Sequence, residues 1–335
     1  MVIHALIGVV TSLMAAILLR AWARQRGIAK KVGTPLMPES RALPPVGGLA
    51  FALGCAVVLF GWQLQAAVIW TDKAIGLLAA CAVILLVGLV DDFVRELAPW
   101  QKLLGQGLAW LFLVRGGIMT DIVALPPWAN LLVSLLWTLA IINAFNLLDI
   151  ADGLAGGIAL IAAATLLILS LQAGQLVVAG TLAVIIGALA GVLVFNRPRA
   201  SLFLGDSGSM LLGLLLAALS LAISYAPLGR EIALLTPLFV LGFPLYDLAF
   251  VTIMRVRQGR PVFRKSPDHF VFRLMRQGYS ATKAIVAIYL LALAFSLTAL
   301  VVSTVSNAVG TALVAAVIVV AVWWAARMAK VPVNA

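Results

Sequence analysis

Apolar and polar positions divide this chain into eleven apolar runs separated by short polar connections, and each run is long enough to cross a bilayer as a helix. The runs cover roughly residues 3 to 22, 46 to 62, 74 to 90, 101 to 119, 128 to 147, 154 to 172, 176 to 195, 209 to 225, 232 to 254, 281 to 302 and 306 to 326. No two-residue alternation of the kind a membrane barrel shows is present. The pattern predicts an all-α polytopic membrane protein of about eleven spans, in one domain over residues 1–335.

The fifth run ends in polar residues. Asn143, Asn146, Asp149 and Asp152 recur at every third position, so on a helix each is rotated about 60° back from the one before. Gly153 and the pair Gly156-Gly157 follow. A single member reads as a helix end dipping into the headgroup region. Four in register point instead to a ligand or ion site, since one Asp at the centre of a membrane helix costs about 2.5 to 3.5 kcal/mol.

Composition agrees with the pattern. Of 335 residues, 64% are hydrophobic and only 10% charged, against about 25% charged in soluble domains. Cys55 and Cys81 lie inside separate apolar runs, which reads as buried small hydrophobes and supports neither a disulfide framework nor a metal cluster.

Charge then assigns the two faces. A basic cluster from Arg20 to Lys31 follows the first run, which by the positive-inside rule puts the N-terminus outside and the C-terminus in the cytoplasm. With that orientation, 20 of the 23 Lys and Arg residues are cytoplasmic, and only Lys73, Arg115 and Arg230 lie outside. The net charge of +11 is mostly this collar; it suits anionic headgroups, and no nucleic-acid partner is needed to explain it. The acidic residues follow the same asymmetry, with Asp72, Asp121 and Glu231 outside and the other nine of 12 on or near the cytoplasmic face. The chemistry is therefore expected on that face, from connections at about 23–45, 91–100, 148–153, 196–208 and 255–280.

Several stations on it carry that expectation. Asp91 and Asp92 close the third run, where two carboxylates meet the negative end of the helix dipole and each other unless a cation offsets them. Lys102 opens the fourth run, placed to snorkel or to hold a phosphate. The turn Phe203-Leu-Gly-Asp-Ser-Gly-Ser209 reads structurally as the N-cap of the eighth run, with Asp206 or Ser207 as cap. Read functionally, it offers backbone N–H groups to a phosphate and a carboxylate to its metal. Pro244-Leu-Tyr-Asp247 puts a proline kink and a carboxylate inside the ninth run. The connection that follows carries Arg264, Lys265, Asp268, His269 and Arg273, a positive-inside loop some of whose cations are placed to clamp a diphosphate.

With these motifs the chain resembles the bacterial polyprenyl-phosphate N-acetylhexosamine-1-phosphate transferases and the related phospho-N-acetylmuramoyl-pentapeptide transferases. The likeness rests on Pro44-Pro-Val-Gly-Gly48, Asp91-Asp92, Lys102, the ladder from Asn143 to Leu154, Phe203 to Ser209 and Pro244 to Asp247, and it covers nearly the whole length. It implies transfer of a sugar 1-phosphate, GlcNAc-1-phosphate first, from a UDP-N-acetylhexosamine to undecaprenyl or another polyprenyl phosphate in the bacterial inner membrane. It also implies a Mg²⁺ cofactor, with Mn²⁺ as the alternative, and suggests a homodimer. By motif position, Asp206 and Asn146 would hold the metal, and Asp91, Asp92 and Asp149 would serve catalysis. Lys102, Asn143, Asp152, Arg41, Arg264, His269 and Arg273 would meet substrate.

The chain departs from the family pattern at Ile150, where a glycine is usual, and at His269-Phe-Val-Phe272, where the family carries His-x-His-His. Two other classes compete. A secondary transporter would carry its carboxylates near the midplane between repeated halves, and no internal repeat is present. A catalytically silent, lipid-binding relative fits the lost histidines but not the retained carboxylates.

Overall fold

The computed structural model describes residues 1–32, 41–66, 71–225, 229–261 and 267–332. Each of the eleven apolar runs falls largely in helix. In chain order the elements begin with α1 (Val2–Gln25), then a two-stranded antiparallel ribbon of β1 (Lys30–Val32) and β2 (Arg41–Leu43) pairing Lys30 with Leu43. There follow α2 (Gly47–Ala66), α3 (Asp72–Phe93), α4 (Pro99–Arg115), α5 (Pro127–Leu148), α6 (Leu154–Gln172), α7 (Leu176–Asn196) and α8 (Gly205–Ala222). After a 3-10 turn at Glu231–Leu235 come α9 (Thr236–Val240), α10 (Gly242–Arg257), α11 (Phe270–Arg276), α12 (Ala281–Val302) and α13 (Asn307–Ala329). Among the described residues, eight helices are long and apolar enough to cross a membrane, and the bent pair at Glu231–Val240 and Gly242–Arg257 makes a ninth candidate. This is a polytopic membrane protein, all-α apart from the ribbon.

The differences from the sequence expectation have local causes. The ninth run is not one kinked span: it breaks by 72° between Val240 and Gly242, ahead of the proline. Pro244 then sits in the first turn of α10, where its missing N–H costs nothing. α8 starts four residues earlier than the apolar pattern alone indicated, bringing Asp206 into its first turn. α4 stops at Arg115 because Gly116 and the left-handed Gly117 end it, with the Ile118 N–H returning to the Leu113 carbonyl at 2.8 Å.

The described residues form two compact units, the first of residues 1–32 with those from 41 to 223, the second of those from 224 onward. In the first, α1 packs on α7 through small residues. A Cβ on Gly187 would fall 2.1 Å from the Ala5 carbonyl oxygen, and one on Gly191 2.1 Å from the Ser12 hydroxyl. The Gly187-Ala-Leu-Ala-Gly191 spacing is thus a helix-packing motif, the use such stripes have where apolar side chains gain nothing by leaving lipid. At the centre lies α8, buried along most of its length against α2, α3 and α5. A Cβ on Gly48 would lie 2.2 Å from the Gly208 nitrogen, and one on Gly88 2.2 Å from the Ser207 Cα. The first turn of α8 is thereby clamped between α2 and α3 at backbone contact.

In the second unit, α10 to α13 enclose an aromatic cluster. Phe270 stacks on Phe250 at 4.3 Å, on Trp324 at 4.6 Å and on Tyr246 at 4.7 Å between ring centroids.

Candidate active site

The first unit gathers carboxylates and lysines from four elements. Asp91 and Asp92 end α3, Asp206 starts α8, Lys102 lies in the first turn of α4 and Lys30 begins β1. Lys102 Nζ lies 2.9 Å from Asp91 Oδ1 and also pairs with Asp206 Oδ2. Lys30 Nζ stands 3.5 Å from Asp91 Oδ2 and 3.5 Å from Asp92 Oδ1. Burial opposes charge on Lys30, but the carboxylates of Asp92, Asp206 and Asp91 outweigh it, so its ammonium is held above the ordinary lysine value. These two cations answer the repulsion that the sequence made conspicuous in the adjacent aspartates.

Asp92 has a second compensation. Its Oδ1 accepts the Asp206 N–H at 3.1 Å, and its Oδ2 accepts the Ser207 N–H at 3.0 Å and the Ser207 hydroxyl at 2.8 Å. An aspartate at the unfavourable end of one helix thus caps the favourable end of another. The capping reading of the Gly-Asp-Ser-Gly turn is corrected here, and so is the expectation that its amides are open to a phosphate; the Asp206 carboxylate stays available to a metal. The cap is neither Asp206 nor Ser207, and the amides of these two residues are taken by a carboxylate of α3. Gly205 makes the approach feasible: its φ is +77°, and a Cβ there would sit 2.5 Å from Asp92 Oδ2. Asp91 Oδ1 also accepts the Leu97 N–H at 2.8 Å, which folds the α3–α4 connection back over the site.

A second pair of motifs supports this corner. The Gly47 and Gly48 N–H groups donate to the Phe203 and Leu204 carbonyls at 2.9 and 2.8 Å, and the Phe203 N–H donates to the Pro44 carbonyl at 3.0 Å. The Pro-Pro-Val-Gly-Gly stretch is therefore a brace for the turn that presents Asp206.

The ladder divides into separate tasks. Asn146 donates to the Ser209 hydroxyl at 3.1 Å, facing the first turns of α8. Asn143 donates to Gln106 Oε1 at 2.7 Å and to the Leu139 carbonyl at 2.7 Å, one turn deeper. Asp149 is the C-cap residue of α5, with non-helical ψ. Asp152 Oδ2 accepts the Ala200 N–H at 2.9 Å, bracing the turn between α7 and α8. The ladder is not one wall facing one ligand, since the helix ends at Leu148.

In the second unit the site candidates meet internal partners. His269 Nδ1 lies 2.7 Å from Asp247 Oδ2, and Asp247 Oδ1 accepts the Phe270 N–H at 3.2 Å. Arg273, only 1% exposed, donates to the Met328 and Val331 carbonyls at 2.8 and 2.7 Å, ties down the end of α13 and pairs with Asp268 at 3.3 Å. Val271 and Phe272, which replace two family histidines, are fully buried. Arg264 lies outside the described residues, and Arg41 is placed on β2. Replacing Asp247 with alanine is expected to lower stability by about 2 to 4 kcal/mol, because a buried ring nitrogen and a buried amide both lose their acceptor. Thermal unfolding in detergent would register this, with Asp247→Asn losing about half as much.

Lys30 and Gln106 are the participants that sequence reading missed. Gln106 had a signal: it is four residues after Lys102 on one helix face, and it is buried against Asn143 and Met210. Nothing in the spacing marked Lys30, which reaches the aspartates only through the ribbon.

The ligand atoms of Asp91, Asp92 and Asp206 all lie within 4.8 Å of one another. A donor set of carboxylate oxygens without sulfur or imidazole fits a hard divalent cation such as Mg²⁺ or Mn²⁺.

Residues 74–224, from α3 to just past α8, match the model of glycosyl transferase family 4. The chain is 33% identical to the decaprenyl-phosphate N-acetylglucosaminephosphotransferase of Mycobacterium tuberculosis over 79% of this chain and 74% of that one. It is 29% identical to a Bacillus subtilis protein named "probable undecaprenyl-phosphate N-acetylglucosaminyl 1-phosphate transferase", over 89% and 85% of the two chains. It is also 33% identical to the phospho-N-acetylmuramoyl-pentapeptide-transferase of Limosilactobacillus fermentum, over 76% and 78%.

Proposed function

This chain belongs to glycosyl transferase family 4, and from that membership we propose that it moves N-acetylglucosamine 1-phosphate from its UDP-sugar to undecaprenyl phosphate and releases UMP. Transfer of an N-acetylglucosamine phosphate to a polyprenyl phosphate is the activity that the names of the Bacillus subtilis and Mycobacterium tuberculosis relatives share. The observation that carries the reading is the cluster of Asp91, Asp92 and Asp206 at the ends of helices long and apolar enough to cross a membrane, with Lys102 paired to two of them, an arrangement suited to a phosphate carried by a lipid.

In the reaction an oxygen of the lipid phosphate bonds to the β-phosphorus of the donor. The bond from that phosphorus to the bridging oxygen breaks, and the electron pair leaves with UMP. A phosphate monoester has a second pKa near 6, so the attacking group is largely dianionic at neutral pH and needs no dedicated base. A bound divalent cation neutralises charge on the transferring phosphoryl oxygens. Asp91, Asp92 and Asp206 would hold it, Mg²⁺ in the first place, and Asn146, which reaches Ser209 on the same helix as Asp206, would join Asp206 as a ligand. Lys102, standing between Asp91 and Asp206, is placed to take a diphosphate oxygen. Asp149 would stay with the catalytic group, Asp152 would approach the uracil and Asn143 would meet substrate. Arg41 of β2 would meet the donor from the first unit, while His269 and Arg273 hold the fold of the second unit through Asp247, Asp268 and the end of α13.

The active site faces the cytoplasm in this reading, the protein spans the inner membrane eleven times, and the product starts a cell-envelope polysaccharide. The test is transfer of radiolabel from UDP-N-acetylglucosamine to undecaprenyl phosphate by purified protein, with Mg²⁺ and with chelator. Labelled lipid with stoichiometric UMP, abolished by chelation, is expected. Silence across all UDP-N-acetylhexosamines from folded protein would overturn the assignment.

A further inference from the structure

The connection between α4 and α5 is built the opposite way round from a water-facing loop. Its polar groups turn inward. Asn130, in α5 and buried, accepts the Ile122 N–H at 3.0 Å and donates to the Ile122 and Leu125 carbonyls at 3.2 and 3.3 Å. The Thr120 N–H donates to the Ser134 hydroxyl at 2.8 Å, and the Thr120 hydroxyl to the Asn130 carbonyl at 2.7 Å. Two large apolar side chains turn outward instead: Val123 is 97% exposed and Trp128 69%.

Position adds to this. The loop lies at the Asp72 end of α3, a helix of 22 residues whose other end carries Asp91 and Asp92; the two ends are about 33 Å apart at 1.5 Å per residue. The tip continues the exposed apolar rows of Leu108, Leu111 and Phe112 on α4 and of Leu132, Val133 and Leu136 on α5. Asp121 and Arg115 flank it as exposed charges.

We propose that the Ile122 to Trp128 tip is an interfacial membrane anchor, seated at the headgroup and acyl boundary of the leaflet opposite the carboxylate site. Two requirements of that boundary are met together. The backbone groups of Ile122 and Leu125 have partners within the protein, so the tip enters a poorly hydrated zone without stranding them. Tryptophan is the residue the interface favours, and such anchors set the depth and tilt of the helix that bears them. That helix is α5, which carries Asn143 and Asn146 toward its other end.

The experiment places a nitroxide at Val123→Cys, in a Cys55→Ala, Cys81→Ala background, with the protein in vesicles of phosphatidylethanolamine and phosphatidylglycerol. Collision with oxygen is expected to exceed collision with a water-soluble nickel chelate several-fold, and the order to reverse for a label at exposed Arg197→Cys. A nickel-accessible label at 123 would overturn the anchor. A label shielded from both reagents would overturn it too, as it would mean that a second copy or another protein covers the tip. As a check that keeps the native cysteines, Trp128→Phe should lower the fluorescence quenching produced by lipids brominated near the headgroup; unchanged quenching would count against the anchor.

Discussion

Asp206→Ala is expected to reduce sugar-phosphate transfer by about three orders of magnitude, the rate equivalent of losing several kcal/mol of charge stabilisation at the phosphoryl group. The residue combines three roles, two of its side chain and one of its backbone. It belongs to the carboxylate triad, it pairs with Lys102, and its own backbone N–H holds Asp92. Only the first two depend on its carboxylate, so the substitution leaves the backbone cap of α8 in place and the protein should still insert and fold. Asp206→Asn separates charge from shape: if charge at the metal position is what matters, it falls nearly as far as alanine. The measurement is initial rate at saturating donor against Mg²⁺ concentration. Full activity in either variant would remove the carboxylate cluster from the mechanism.

The second large effect is expected from the smallest change. Gly88→Ala puts a methyl group 2.2 Å from the Ser207 Cα and 2.5 Å from its nitrogen, both backbone atoms that cannot swing aside. α3 and α8 must separate by more than an ångström. The separation pulls Asp92, one turn along α3, away from the amides of Asp206 and Ser207. Overpacking of this kind costs about 1 to 3 kcal/mol, and weakening hydrogen bonds to a charged group adds a comparable amount. A lower midpoint of thermal unfolding, together with activity at about 1% of the parent, is the expected result. Gly107→Ala in α4 is the control, since a Cβ there meets nothing within 4 Å; it should be neutral or slightly stabilising. Equal behaviour of the two variants would show that the close approach of α3 and α8 does not govern the site.

Much of the fold was legible because a bilayer enforces it. A span needs about 20 apolar residues with every backbone group satisfied internally, so length and hydropathy leave few alternatives. The apolar runs accordingly fall largely in helix, the ninth broken in two. The site was legible to the extent that charge is conspicuous in an apolar chain. Asp91, Asp92, Lys102 and Asp206 stood out for that reason and lie together. The ladder misled because its period was extended past the helix end at Leu148, where Asp149 and Asp152 leave the stripe.

By itself, then, the sequence determined that this is a membrane protein of helices, where most of those helices run, and which charged residues stand out at their ends. These are properties of each segment against its solvent, and a segment meets that solvent without reference to the rest of the chain. Only the tertiary structure decided which partner each polar group takes: that Asp92 caps α8 and not its own helix, that Lys30 arrives from the ribbon, that Asn143 is held by Gln106, and that His269 and Arg273 turn to Asp247 and to the end of α13. Those pairings join residues as many as 115 positions apart. They are fixed by how close two backbones come, which glycines such as Gly48 and Gly88 set in ångströms and which no one-dimensional pattern records.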